Sequence, residues 1–164
     1  MCGIAGIIYK DGEHPIGTEM TRMLQSMKHR GPDSTGYALY GQPSNLVIMR
    51  YKLADANTPR DFEYEDRLRR HSAEVERRLH ALGAQGKNLE EGTEYAFRVT
   101  MSYDGDLKRL ADFVEDVPDV EVLSLGKSIE IVKDLGDAET VSDGYELDAF
   151  QGTHAIGHVR MATE

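Results

Sequence analysis

Apolar positions recur along this chain with two periods, and the switches between them mark its elements. Residues 2 to 9 hold Ile4, Ile7, Ile8 and Tyr9 among the small residues Gly3, Ala5 and Gly6. They read as a strand whose glycines leave room for another backbone or a ligand. Asp11-Gly12 marks a turn. Met20, Met23, Leu24 and Met27 then fall at i, i+3, i+4 and i+7, so a helix is predicted from Thr18, with the methionines as core packing. Lys28, His29 and Arg30 occupy its last turn, and Gly31-Pro32 stops it.

Period two returns over Thr35 to Tyr40 and Leu46 to Tyr51, joined by Gly41-Gln42-Pro43-Ser44, which predicts a hairpin. Lys52 to Arg60 reads as a loop. Over 61 to 82 the charge density rises and Leu68, Val75, Leu79 and Leu82 take helical spacing, giving a long amphipathic helix with a solvated face. Gly83 to Gly92 breaks that pattern. Tyr95, Phe97, Val99, Met101 and Tyr103 then alternate with Ala96, Arg98, Thr100 and Ser102, the clearest half-buried strand in the chain. A short helix bearing Leu107, Leu110, Ala111 and Val114 follows, and then strands around Val120 to Leu125 and Ser128 to Val132. Residues 61 to 135 therefore read as a small α+β insertion without a catalytic signature, and its aromatic residues as sheet packing. The last segment, Gly152 to Glu164, is a strand and its exit, with Ile156, His158 and Arg160 on one face.

Composition narrows the classes of partner. The chain has 164 residues, 40% of them hydrophobic and 29% charged, which suits one α+β domain with an insertion. A formal charge of -10 opposes polyphosphate, so nucleic acid and anionic membrane are not expected partners. A single cysteine cannot form an internal disulfide, and no stretch has the composition of a secretory signal or a membrane span. A cytoplasmic protein is expected.

The single cysteine sits at position 2. Removal of Met1 would make Cys2 the amino terminus, with a thiol and an α-amine on one residue. Such groups ordinarily titrate near about 8.5 and about 7.7 to 8.0, close enough to exchange a proton near neutral pH without a histidine. His154 and His158 have a spacing that could bind a metal on a helix, but on a strand they stand roughly 13 Å apart at about 3.3 Å per residue. No metal and no cofactor are expected. On the same strand Arg160 could grip a carboxylate with two parallel hydrogen bonds, or form a structural ion pair.

Three separated segments, Met1 to Ile7 (MCGIAGI), His29 to Gly36 (HRGPDSTG) and Gly157 to Thr163 (GHVRMAT), together resemble the class II glutamine amidotransferases, which are N-terminal-nucleophile hydrolases. More loosely, the chain is similar to the amidotransferase subunits of glutamate synthase-like and N-methylglutamate synthase systems. The resemblance covers about 2 to 51 and 150 to 164. It implies an αββα sandwich, incomplete here, with the 61 to 135 insertion inside it. It also implies that Cys2 attacks the glutamine side-chain amide, and that Arg160 and Thr163 bind glutamine. Arg30 and Asp33 would support the site or form salt bridges within the fold, and His158 is taken as a further supporting residue. Ammonia would pass to a synthase subunit or domain, and an oligomer is possible.

Two features of such enzymes lie elsewhere. Their Asn-Gly pair for the oxyanion and a later aspartate for the glutamine ammonium have no counterpart among these 164 residues. Residues 1 to 164 are accordingly expected to be the N-terminal part of a larger amidotransferase domain, inactive or weak alone. Met161 and Glu164 also stand where many relatives carry tryptophan and histidine. Two other readings are compatible with the residues: a binding or scaffold module that keeps the fold without the chemistry, and an N-terminal-nucleophile hydrolase acting on another amide.

Overall fold

The structure, a computed structural model, describes residues 2–161. These divide into two compact units, one formed by residues 1–43 and 128–164 and the other by Ser44–Lys127.

The first unit is an antiparallel sheet with helices on one face. Strand β1 (Gly3–Ile8) lies at its edge, then β8 (His154–Arg160), β2 (Ser34–Tyr40) and β7 (Ile129–Leu135). Helix α1 (Ile16–Ser26) lays Ile16, Met20 and Leu24, all fully buried, on the sheet. Of the predicted stripe, Met20 and Leu24 are buried in the core, while Met23 and Met27 are half-buried. Gly157 permits the close approach, because a Cβ there would lie 2.6 Å from Leu24 Cδ1. Lys28–Arg30 is a separate 3-10 turn rather than the last turn of the helix, since the chain has to bend toward β2 within a few residues. Helix α4 (Ala138–Gly144), which the apolar pattern did not mark, adds Ala138 and Val141 to the same core. Tyr37 joins these layers: its hydroxyl donates to the Ala138 carbonyl at 2.8 Å, and burial pushes its pKa up to about 12. On the opposite face Ile4 and Ile8 are 77% and 69% exposed, Ile156 54% and Leu135 41%.

The second unit runs β3 (Val47–Lys52), α2 (Tyr64–Ala81), β4 (Gln85–Thr93), β5 (Ala96–Ser102), α3 (Leu107–Glu115) and β6 (Glu121–Gly126). Its antiparallel order is β4-β5-β3-β6, the split βαβ arrangement of ferredoxin-like folds. Strand β3 therefore pairs with β5 and β6, and the predicted hairpin between β2 and β3 does not form. Local turn residues suggested that pairing, but the long-range partners won. The alternating strand at 95 to 103 is β5, with Val99 and Met101 in a core shared with Val75, Leu79, Leu110 and Val114. Strand β4, within the stretch read as a break, is an edge strand exposed along most of its length. Such a strand carries little hydrophobic alternation to read.

The observed class is α+β, with two antiparallel sheets and four helices. No helix is long and apolar enough to cross a membrane among the described residues.

Candidate functional site

Sheet register draws the sequence motifs to one end of the first unit. In the β1 and β8 pairing Gly3 faces Val159 and Ile4 faces His158, and Cys2 and Arg160 each lie one residue beyond the last pair of that ladder. Residues directly opposite in an antiparallel pair project to the same face, with Cβ atoms about 4.5 to 5.5 Å apart. That face carries exposed Ile4, His158 and Arg160, away from the helices, and Cys2 is exposed as well. The predicted common face of Ile156, His158 and Arg160 is present, since all three alternate with buried Ala155, Gly157 and Val159.

The middle motif reaches the same place through backbone contacts. Ser34 pairs with Arg160 in the β2 and β8 ladder, Pro32 forms a parallel bridge with Arg160, and the Asp33 amide donates to the Arg160 carbonyl at 3.2 Å. Gly31 is required by steric fit: a Cβ there would stand 2.5 Å from the Arg160 nitrogen and 2.7 Å from the Val159 carbonyl carbon. Gly36 plays the matching part for His158, whose Nε2 would lie 2.4 Å from an added Cβ. The imidazole lies over the space that a side chain at 36 would need. Arg30 and Asp33 are exposed at this turn, beside the end of β8. Thr163 lies outside the described residues.

A support that the sequence reading missed holds the turn from behind. Asp137 caps α4, accepting from the Thr140 amide at 3.0 Å and its hydroxyl at 2.8 Å. The same carboxylate meets Lys28 Nζ at 3.4 Å and Gln25 Nε2 at 3.5 Å, tying the end of α1 and the 3-10 turn to α4. The Thr140 bonds, foremost, hold the Asp137 pKa at about 2, below its ordinary 3.8. The signal was present as Gly136-Asp137 with Thr140 three residues after the aspartate, a helix-start pattern.

Among the described residues no group of three or more His, Cys, Asp or Glu side chains is placed to hold a metal ion. His154 instead stacks on Tyr40, with ring centroids 4.1 Å apart. Cys2 and Arg160 are both exposed at this end of the sheet, a thiol and a guanidinium open to solvent.

An α+β unit with a cysteine and an arginine exposed at one end of its sheet is thus the setting for comparison with known proteins. No family model matches the chain. It is similar along its whole length to a protein of Methanothermobacter thermautotrophicus provisionally named a glutamine amidotransferase, with 36% identity over 170 residues and 53% of that protein covered. It is likewise similar to the glutamine amidotransferase-like protein GlxB of Rhizobium meliloti, with 31% identity over 166 residues and 51% covered. The chain spans about half the length of these relatives.

Proposed function

We propose that the chain is the nucleophile-bearing part of a class II glutamine amidotransferase, in which Cys2 becomes the amino terminus and forms a thioester with glutamine. The observation that carries this reading is the register that brings Cys2 and Arg160 to the same end of the β1 and β8 ladder, each one residue beyond its last pair. Arg160 binds the α-carboxylate of glutamine, and Thr163 contributes to the same pocket. The α-amine of Cys2 accepts the thiol proton as Sγ attacks the side-chain carbonyl carbon. It returns that proton to the departing nitrogen, so ammonia leaves and a γ-glutamyl thioester remains. Water then attacks the thioester, giving glutamate and the free thiol. Arg30, Asp33 and His158 border the reaction and shape its rim.

The ammonia passes to a synthase subunit or domain, and the protein acts in the cytoplasm. The exposed isoleucines of the first sheet support an αββα sandwich, in which a second sheet packs on the face that α1 and α4 leave bare. Residues 1–164 contain no Asn-Gly pair to stabilise the oxyanion, so this stretch by itself is inactive or weak as a glutaminase. Losing one oxyanion donor costs about 10² to 10³ in rate.

Glutamine hydrolysis by a polypeptide of the relatives' length, followed as glutamate release, tests the reading. Cys2→Ser should abolish turnover, and Arg160→Met should lower kcat/KM mainly through KM. Turnover that survives Cys2→Ser would overturn it.

A further inference from the structure

The second unit contains a cavity of about 310 Å³ that the amidotransferase chemistry does not use. It lies at the C-terminal end of β3, under the loop that leads to α2, and reaches the start of β6. Four independent features meet there.

The first is a buried cation: Lys52 is only 3% exposed, and its Nζ pairs with Asp55 at 3.1 Å. The second is a shift in strand register between Arg50 and Tyr51 in the β3 and β6 pairing. Bulges re-aim side chains, and beyond this one Lys52 and Glu121 stand directly opposite and both line the cavity. The third is Asp119, a non-glycine residue with φ +63°, whose strained backbone sets a carboxylate in the wall. Non-glycine residues in this conformation collect at ligand sites. The fourth is His71, a lining residue of α2 whose Nδ1 is buried without a hydrogen-bond partner.

The walls hold both signs of charge, Lys52 and Arg67 with Asp55, Asp119 and Glu121, beside the apolar Leu53 and Leu68. A plain anion would meet three carboxylates, and a plain cation would meet Lys52 and Arg67. A compact zwitterion satisfies both, and the volume is at the lower end for small-molecule sites. We propose that this cavity is a binding site for an α-amino acid, whose carboxylate shares Lys52 with Asp55 and whose ammonium lies against Asp119 and Glu121. The site is separate in its residues from Cys2 and Arg160, and the inference stands whether or not the glutaminase reading does.

Calorimetric titration of the full chain with each proteinogenic amino acid tests it, using the Cys2→Ser/Arg160→Met protein to remove binding at the catalytic face. At least one amino acid should bind saturably and raise Tm by roughly 5 °C at saturation. Succinate and butylamine, each lacking one of the two charges, should bind at least tenfold more weakly. Asp119→Gly removes the carboxylate and suits a positive φ, so it should keep or raise the ligand-free Tm while weakening binding at least tenfold. Lys52→Met should weaken binding likewise, and if it fails to fold the decision rests on Asp119→Gly. Absence of binding by every amino acid, equal binding of succinate or butylamine, or unchanged affinity in Asp119→Gly would overturn the proposal.

Discussion

A side chain at position 31 would collide with the backbone of Arg160, and this makes a glycine that touches no substrate as informative as the residues that would. Gly31→Ala leaves no cheap relief, because the neighbours at 2.5 to 2.7 Å are main-chain atoms of β8. It should cost about 1 to 3 kcal/mol of stability and shift the backbone of Arg160, which urea unfolding and glutamine KM would report together. Unchanged stability would mean that the turn is not packed as described. Arg160→Met acts differently: it leaves the turn in place and removes a charged hydrogen-bonding partner. Charge-assisted bonds contribute about 1.5 to 3 kcal/mol, so kcat/KM for glutamine should fall roughly 10- to 100-fold. The three motifs were readable as residue types, and the facing of Ile156, His158 and Arg160 followed from strand alternation. What held them together was not readable, because the contacts of Gly31 and Gly36 come from residues more than a hundred positions away.

At the scale of elements, α1, α2, α3 and β5 were legible because each pairs a buried stripe with a polar one at a single period. Strand β4 lacks such a stripe, and α4, at seven residues, is too short to display one. Helix α4 is nonetheless what steadies the approach to the site, through Asp137. Asp137→Ala should lower stability by about 1 kcal/mol through loss of the cap. The same carboxylate also gives the unit a pH dependence of definite sign. Its folded pKa, at about 2, lies below the ordinary 3.8, so its contribution is complete above about pH 4 and is lost as the pH falls toward 2. Denaturant midpoints of the parent and Asp137→Asn should therefore converge over that window and differ above it. A gap that widened as the pH fell would contradict this assignment. Tyr37 acts at the other extreme: its pKa is raised to about 12 by burial, so the folded state loses stability as the pH climbs above about 10.

At the scale of the molecule, the first unit has a helix layer on one face of its sheet and exposed Ile4, Ile8, Ile156 and Leu135 on the other. An apolar sheet face of this kind ordinarily packs on a second layer. The hydrophobic pattern had indicated the α+β class but mispaired β3, since turn residues between β2 and β3 say nothing of the strands that arrive later. In a polypeptide of the relatives' length these isoleucines should become protected from solvent, and Ile4→Lys should destabilise that longer form while leaving residues 1–164 within about 0.5 kcal/mol. Equal effects on both would argue against a covering sheet.

The central claim is that Cys2, freed at its amine, is the nucleophile that glutamine meets. Intact-mass analysis of the longer polypeptide after exposure to a glutamine-analogue electrophile addresses it directly. The account predicts a mass lacking Met1 with one adduct, mapped to Cys2, blocked by excess glutamine and absent from Cys2→Ala. A catalytically active protein that retains Met1, or an adduct carried by any other residue, would contradict it.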